Sequence, residues 1–196
     1  MKKIGLSIAI VALLASMSCK EKKTDDKMDE KETDVEDMKE PETKMESNSV
    51  TFILESKSES TATGKVNFTE TDGIVQLAAE FSGLKPGTHA IHIHEKADCS
   101  SPDGKSTGGH WNPTKENHGK WGDATGYHKG DIGNIVAEDD GTASLSMQTD
   151  EWCIGCGDAN KDIIGKAIIV HEGVDDFVSQ PTGDAGGRVS CGGIIK

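Results

Sequence analysis

The sequence predicts an all-β protein, with eight short antiparallel strands forming a sandwich or flattened barrel. Three observations lead there. Glycine supplies 23 of 196 residues and aromatic residues only 4%, a balance that suits tight turns better than a helical bundle. Short β-type runs alternate with turn signals from Val50 onward. No segment of useful length carries apolar residues at helical spacing, and no solenoid or propeller repeat is present.

The length allows one domain with an appended segment, or two small domains. With 21 Lys and Arg against 34 Asp and Glu, and a net charge of −13, a nucleic-acid backbone is an unfavourable partner.

Residues 1–18 begin Met-Lys-Lys, run through an apolar stretch from Ile4 to Ala15, and end on Ser16-Met17-Ser18 before Cys19. A basic start, a short apolar core and small residues make a secretory signal. The stretch is too short to span a bilayer as a mature helix. A Cys directly after the small residues resembles a bacterial lipoprotein signal, in which that Cys becomes the lipidated first residue of the mature chain. Ser16 stands where such signals usually have Leu, and plain cleavage with Cys19 as an incidental thiol is the alternative. Either way the protein is exported, to the periplasm or outer membrane of a bacterial envelope, where disulfides are permitted.

Residues 19–48 read as a disordered charged tether. From 20 to 48 there are seven Lys and twelve acidic residues, and the only apolar side chains are Met28, Val35, Met38 and Met45. Such a stretch cannot bury enough surface to offset the entropy of ordering it. Its methionines are too few and too unevenly spaced for copper capture by thioethers.

The folded domain spans 49–196. Strands are expected at about 50–57, 65–70, 74–81, 88–95, 132–138, 142–148, 163–170 and 188–194. Asp72-Gly73 and Asp140-Gly141 are hairpin dipeptides, and Pro86-Gly87 is a type II turn signal. The region between about Glu95 and Asp131 has no convincing strand. A loop that long inside a compact domain is usually functional. This one holds Cys99, His110, His118, His128 and Asp131.

All seven histidines lie between 89 and 171. On a strand, His89, Ile91 and Ile93 share one face, and His92 and His94 share the other. With the isoleucines inward, two imidazoles stand outward, close enough to reach one metal ion. An isolated His-x-His is weak evidence. It gains weight beside His110, His118, His128, Asp131 and His171. Six imidazoles and a carboxylate are too many for one tetrahedral ion, and they suit two borderline metals such as copper and zinc.

These residues fall in a recognisable series. His89-Ala90-Ile91-His92-Ile93-His94-Glu95, Gly109-His110-Trp111-Asn112-Pro113, His118-Gly119 and His128-Lys129-Gly130-Asp131-Ile132-Gly133-Asn134 are followed by Ile164-Gly165-Lys166, Ile169-Val170-His171 and Asp175-Asp176. Last come Thr182-Gly183-Asp184-Ala185-Gly186-Gly187-Arg188 and Cys191-Gly192. In order and spacing, from about Val50 to Ile195, the series resembles copper/zinc superoxide dismutase. The resemblance implies Greek-key connections with long metal-binding loops. It implies copper on His92, His94, His110 and His171, and zinc on His110, His118, His128 and Asp131, with His110 bridging the two. It implies that Asp175 links a copper histidine to a zinc histidine, that Cys99 and Cys191 form a disulfide, and that His89 bonds backbone groups. The implied reaction is dismutation of superoxide to dioxygen and hydrogen peroxide. Arg188 would guide the anion, and His110 would take and return a proton. Relatives occur as monomers and as dimers with different interfaces, so a homodimer is compatible with the resemblance.

Several positions depart from the family's usual pattern. Ala90 and Ile91 stand for Gly and Phe, Asp184 stands for Asn, and the stretch between Asp176 and Thr182 is short and lacks charge. Steering of the anion is therefore expected from Arg188, with Lys129 or Lys166. Cys153-Ile154-Gly155-Cys156 is additional. In an exported β protein it reads as a local disulfide rather than a redox-active pair or half of a zinc site. Two other classes compete with the enzyme: a copper-storage or delivery lipoprotein on the same fold, and a structural domain retaining only zinc. The intact ligand set and Arg188 favour the enzyme.

Overall fold

The computed structural model describes residues 47–196. The predicted signal, Cys19 and most of the predicted tether lie outside them. Eight strands follow in chain order: β1 (Asn48–Ser56), β2 (Thr63–Thr71), β3 (Ile74–Ser82), β4 (Gly87–His94), β5 (Gly133–Ala137), β6 (Ala143–Thr149), β7 (Ala167–His171) and β8 (Arg188–Gly193). Among the described residues the only helix is one 3₁₀ turn, Lys105–Thr107.

Every ladder is antiparallel, in the order β5-β4-β7-β8-β1-β2-β3-β6. β1 joins the two halves. It pairs with β2 from Asn48 to Leu54, and with β8 only through Glu55 and Ser56. The two ends of the order, β5 and β6, have no paired register, so the sheet closes into a flattened barrel with one open seam.

The expected strands are all present, and three details differ. β1 begins at Asn48, the last residue assigned to the tether. β7 begins at Ala167 rather than 163. The Asp162 carboxylate accepts the amides of Gly155, Gly157 and Ile164, and Gly165 sits at φ +81°, so residues 163–166 form a turn. Asp72 and Gly73 both have positive φ and join the paired strands β2 and β3, as a type I′ hairpin requires. Asp140-Gly141 also turns the chain, through Gly141 N–H to the Glu138 carbonyl and Glu138 N–H to the Thr142 carbonyl. The strands then part, because β5 pairs with β4 and β6 with β3.

β3 alternates strictly, with Val75, Leu77, Ala79 and Phe81 buried and their neighbours exposed. Those side chains meet Leu54, Val66, Phe68, Ile91, Ile93, Ile135, Ile168 and Val170 in one core. β4 and β7 break the alternation, since their outer faces are buried too. The outward imidazoles of β4 are therefore not open to solvent, because the connection from β4 to β5 folds back over them.

That connection is tied down repeatedly. Glu95 N–H donates to the Gly109 carbonyl at 3.1 Å, Ala97 N–H to Gly165 at 2.8 Å, and Trp111 N–H to Ile93 at 2.8 Å. The Cys99–Cys191 disulfide fixes it to β8, and Cys153–Cys156 closes a second, local loop. The first bond joins residues 92 apart. Replacing Cys99 and Cys191 together by Ser is expected to cost roughly 2–5 kcal/mol in denaturant unfolding. A loss well under about 1 kcal/mol would show that the backbone bonds hold the loop alone.

Candidate metal centre

The site is built on the outer face of β4, β7 and β8. His92 stands opposite Ile169, and His94 opposite Ala167. His171 closes β7, where a β-bulge at Val170/His171 shifts the register and sets His171 opposite Arg188 rather than Val189. A bulge of this kind re-aims a side chain. By parity Arg188 would otherwise lie with Ser190 on the core side.

The long loop brings the remaining groups over this face. Two clusters result, His92, His94, His110 and His171 in one and His110, His118, His128 and Asp131 in the other. In each, four ligand atoms lie within 4.8 Å of one another and every residue is buried. His110 belongs to both. Its Nδ1 is 2.8 Å from Asp131 Oδ1, and its ring centre is 3.9 Å from that of His92.

The hydrogen bonds of the other ring nitrogens show which atoms are left to bind. His92 Nε2 donates to Asp175 Oδ2 and His118 Nε2 to Asp175 Oδ1, each at 2.8 Å. His94 Nδ1 donates to the Gly108 carbonyl at 3.0 Å, and His171 Nδ1 to Gly186 at 3.4 Å. His94 Nε2 and His171 Nε2 therefore face each other at 3.3 Å, two lone pairs with no proton between them. His92 Nδ1, His110 Nε2, His118 Nδ1 and His128 Nδ1 are buried without a hydrogen-bond partner. The last two lie 3.0 and 3.2 Å from Asp131 oxygens, at ion-pair distance but outside hydrogen-bond geometry. An unsatisfied buried polar atom costs roughly 1–3 kcal/mol. These atoms converge on two points, and cations at those points would satisfy all of them.

Charge states agree with this. Burial pulls His94 and His171 well below the ordinary imidazole pKa, with neighbouring imidazoles adding to it. Burial likewise takes His110 down to about 4, against the pull of Asp131. These rings are neutral donors of lone pairs at neutral pH. At His118 burial lowers the pKa, but the adjacent Asp131 and Asp175 carboxylates outweigh it and raise it to about 9. Burial alone would raise Asp131 and Asp175, yet their imidazole partners hold both below the usual carboxylate range.

Asp175 is itself held on both sides. Its N–H donates to Asn134 Oδ1, and its carbonyl accepts from Asn134 Nδ2, each at 2.9 Å. A Cβ at Gly183 would collide with Asp175 Oδ1 and His118 Nε2, so only glycine lets that carboxylate reach His118. Gln180 brackets His118, accepting its N–H at 2.9 Å and donating to its carbonyl at 2.8 Å. His89 bonds the His171 and Lys85 carbonyls, each at 2.8 Å.

Arg188 is pinned by the loop. It donates through Nη1 to the Gly104 carbonyl and Thr107 Oγ1, both at 2.9 Å, and through Nη2 to the Gly108 carbonyl at 2.8 Å. It lines a cleft with His94, His110, His171, Thr182 and Lys105. The lysine at this cleft is therefore Lys105, which pairs with Asp103 at 3.2 Å. Of the two lysines expected there, Lys129 pairs with Glu151 and Lys166 lies 5.7 Å above the Trp111 ring. Lys105 sits in a segment without family landmarks, and nothing in the sequence placed it beside Arg188. Asp184 is exposed and does not line this cleft.

The family described as copper/zinc superoxide dismutase (SODC) matches residues 62–194. Among solved structures, the clock protein EA4 is 36% identical, covering 75% of this chain and 94% of its own, with a TM-score of 0.65. A SOD-like protein from Bacillus subtilis is 29% identical over 74% of this chain and 97% of its own, with a TM-score of 0.66. A double mutant of such a protein from the same organism is 32% identical over the same shares, with the same TM-score.

Because His118 holds its proton up to about pH 9, a cation entering at its Nδ1 must displace that proton. Divalent-cation affinity at the second cluster is expected to rise about tenfold per unit from pH 7 to 9 and then level off. Chelator competition across that range measures it, and a flat profile would contradict the assignment.

Proposed function

The chain belongs to the copper/zinc superoxide dismutase family, and on that footing we propose that it converts superoxide to dioxygen and hydrogen peroxide. Copper would be held by His92, His94, His110 and His171, and zinc by His110, His118, His128 and Asp131. The observation that carries the proposal is the ring of His110, which offers Nε2 to one donor set and Nδ1 to the other.

Bound copper supplies one-electron chemistry that ring nitrogens cannot, and bound zinc supplies a fixed charge without redox. The chain's own groups do the rest. Arg188 keeps its charge at any working pH, and its three loop bonds hold the guanidinium at the cleft, where it can orient a small anion. Lys105 lines the same opening but is paired there with Asp103, so the net positive charge at the opening is that of Arg188. His110 lines that opening, and its Nε2, buried without a hydrogen-bond partner, is the ring position able to hold a proton and release it to a reduced oxygen species. Its Nδ1 lies on the Asp131 side, toward the zinc set, which leaves Nε2 as the nitrogen that does so. Asp175 ties the two halves together through His92 and His118.

The overall acidity of the chain does not oppose an anionic substrate, because charges beyond roughly 8 Å are screened at physiological salt and a local positive cleft dominates steering. We place the enzyme in a bacterial cell envelope, tethered by lipid at Cys19 and acting in antioxidant defence. The basic, apolar and small-residue order of residues 1–18 and the two disulfides support this.

Arg188→Ala is expected to keep both metals and lose roughly tenfold or more in kcat/KM, with a flatter salt dependence. Dismutase kinetics alongside metal analysis decide this. Unchanged kinetics would mean that another group guides the anion. Full metal occupancy without turnover in the unaltered protein would mark a metal-holding protein instead.

A further inference from the structure

Asp150-Glu151-Trp152-Cys153 follows β6, and the mechanism above uses none of it. The geometry points to Glu151 and Trp152 as positioning residues for His128, an inference that rests on His128 holding zinc.

His128 differs from the other ligand histidines. The rings of His92, His94, His118 and His171 are each oriented by a hydrogen bond from the nitrogen outside the donor sets to a carboxylate or a carbonyl, and both nitrogens of His110 belong to donor sets. Among the described residues the His128 ring makes none, and its Nδ1 is buried without a hydrogen-bond partner. A ligand histidine normally takes its aim from a bond at the other ring nitrogen. Without one, the aim of His128 depends on where its backbone is held, and that backbone lies on no strand.

Its own N–H donates to Asp131 Oδ2 at 2.8 Å, and Glu151 and Trp152 hold the residues on either side of it. Tyr127 Oη donates to Glu151 Oε1, and Lys129 Nζ donates to Glu151 Oε2. One carboxylate thus grips the residue before His128 and the residue after it. Trp152 Nε1 donates to the Lys129 carbonyl at 2.9 Å. Trp152 is only 1% exposed. It packs edge-on against Phe68 at 5.9 Å and Trp121 at 5.1 Å, and Trp121 meets Tyr127 at 5.1 Å.

Behind the clamp the chain is stapled. Cys153 N–H donates to the Lys161 carbonyl at 2.8 Å, Ile154 N–H to Glu70 Oε2 on β2 at 2.9 Å, and Cys153 is bonded to Cys156. The barrel is thereby connected to a zinc-side imidazole whose ring has no hydrogen bond of its own among the described residues.

The test uses the full chain, stripped of metal and titrated with Co(II) and Zn(II) against a chromophoric chelator. Glu151→Ala is expected to weaken zinc binding about 10- to 100-fold and to change the visible spectrum of Co(II) at that site. Copper(II) affinity should stay within about twofold, because His92, His94 and His171 keep their orienting bonds. Glu151→Gln, with one carbonyl oxygen for two donors, should fall between. Trp152→Phe keeps the packing and removes one bond, and should lose a smaller factor.

Zinc affinity and a Co(II) spectrum indistinguishable from the unaltered protein, in a folded Glu151→Ala variant, would overturn the inference. If that variant does not fold, Trp152→Phe combined with Tyr127→Phe is judged by the same criteria. His128→Ala separates the two levels of the argument. If it binds zinc as tightly as the unaltered protein, the zinc assignment fails and the clamp with it. If it loses zinc while Glu151→Ala does not, only the clamp fails.

Discussion

The structure is organised around lone pairs that have nowhere to go. Ring nitrogens of His92, His110, His118 and His128 are buried without a hydrogen-bond partner, and those of His94 and His171 face each other. A fold does not bury so many acceptors against one another unless positive charge resolves the conflict. Other features follow from that need. Asp175 and the Gly108 and Gly186 carbonyls take the protons from the far nitrogens, so the near ones are free. Gly183 leaves room for Asp175 to reach His118. At Gly130 a Cβ would strike the Ile93 carbonyl, so only glycine lets the zinc-side loop lie against β4.

The same logic explains why β4 and β7 are buried on both faces. Their inner faces complete an apolar core, and their outer faces are the floor of the centre. The loop that supplies His110, His118, His128 and Asp131 is also the lid that keeps water from those nitrogens. The bulge in β7 and β8 adds the one element a bare metal cage would lack, a fixed guanidinium beside His171. The guanidinium and the candidate metal face thus meet at one register shift.

Much of this was legible in the sequence. Strand parity separated His92 and His94 from His89, Ile91 and Ile93, and the concentration of ligand types in one long strandless segment located the other half of the site. What was not legible depends on contacts between residues far apart in the chain. The bulge depends on how β7 and β8 pair, and Gln180 and Glu151 act on residues 62 and 24 or fewer positions away. The lysine that lines the cleft differs from the two expected for the same reason. Lys129 and Lys166 belong to matching motifs, but one is neutralised by Glu151 and the other rests on Trp111. Lys105 reaches the cleft because the disulfide-anchored loop carries it there. The late start of β7 has a local cause, since Asp162 captures the Ile164 amide and the Cys153 carbonyl takes that of Ile163.

The most direct test of the central claim is anomalous diffraction at the copper and zinc edges from crystals of the protein loaded with both metals. Two peaks are expected, one on each side of the His110 ring, with copper against Nε2 and zinc against Nδ1. A single peak, or a His110 side chain that does not lie between two, would contradict the account.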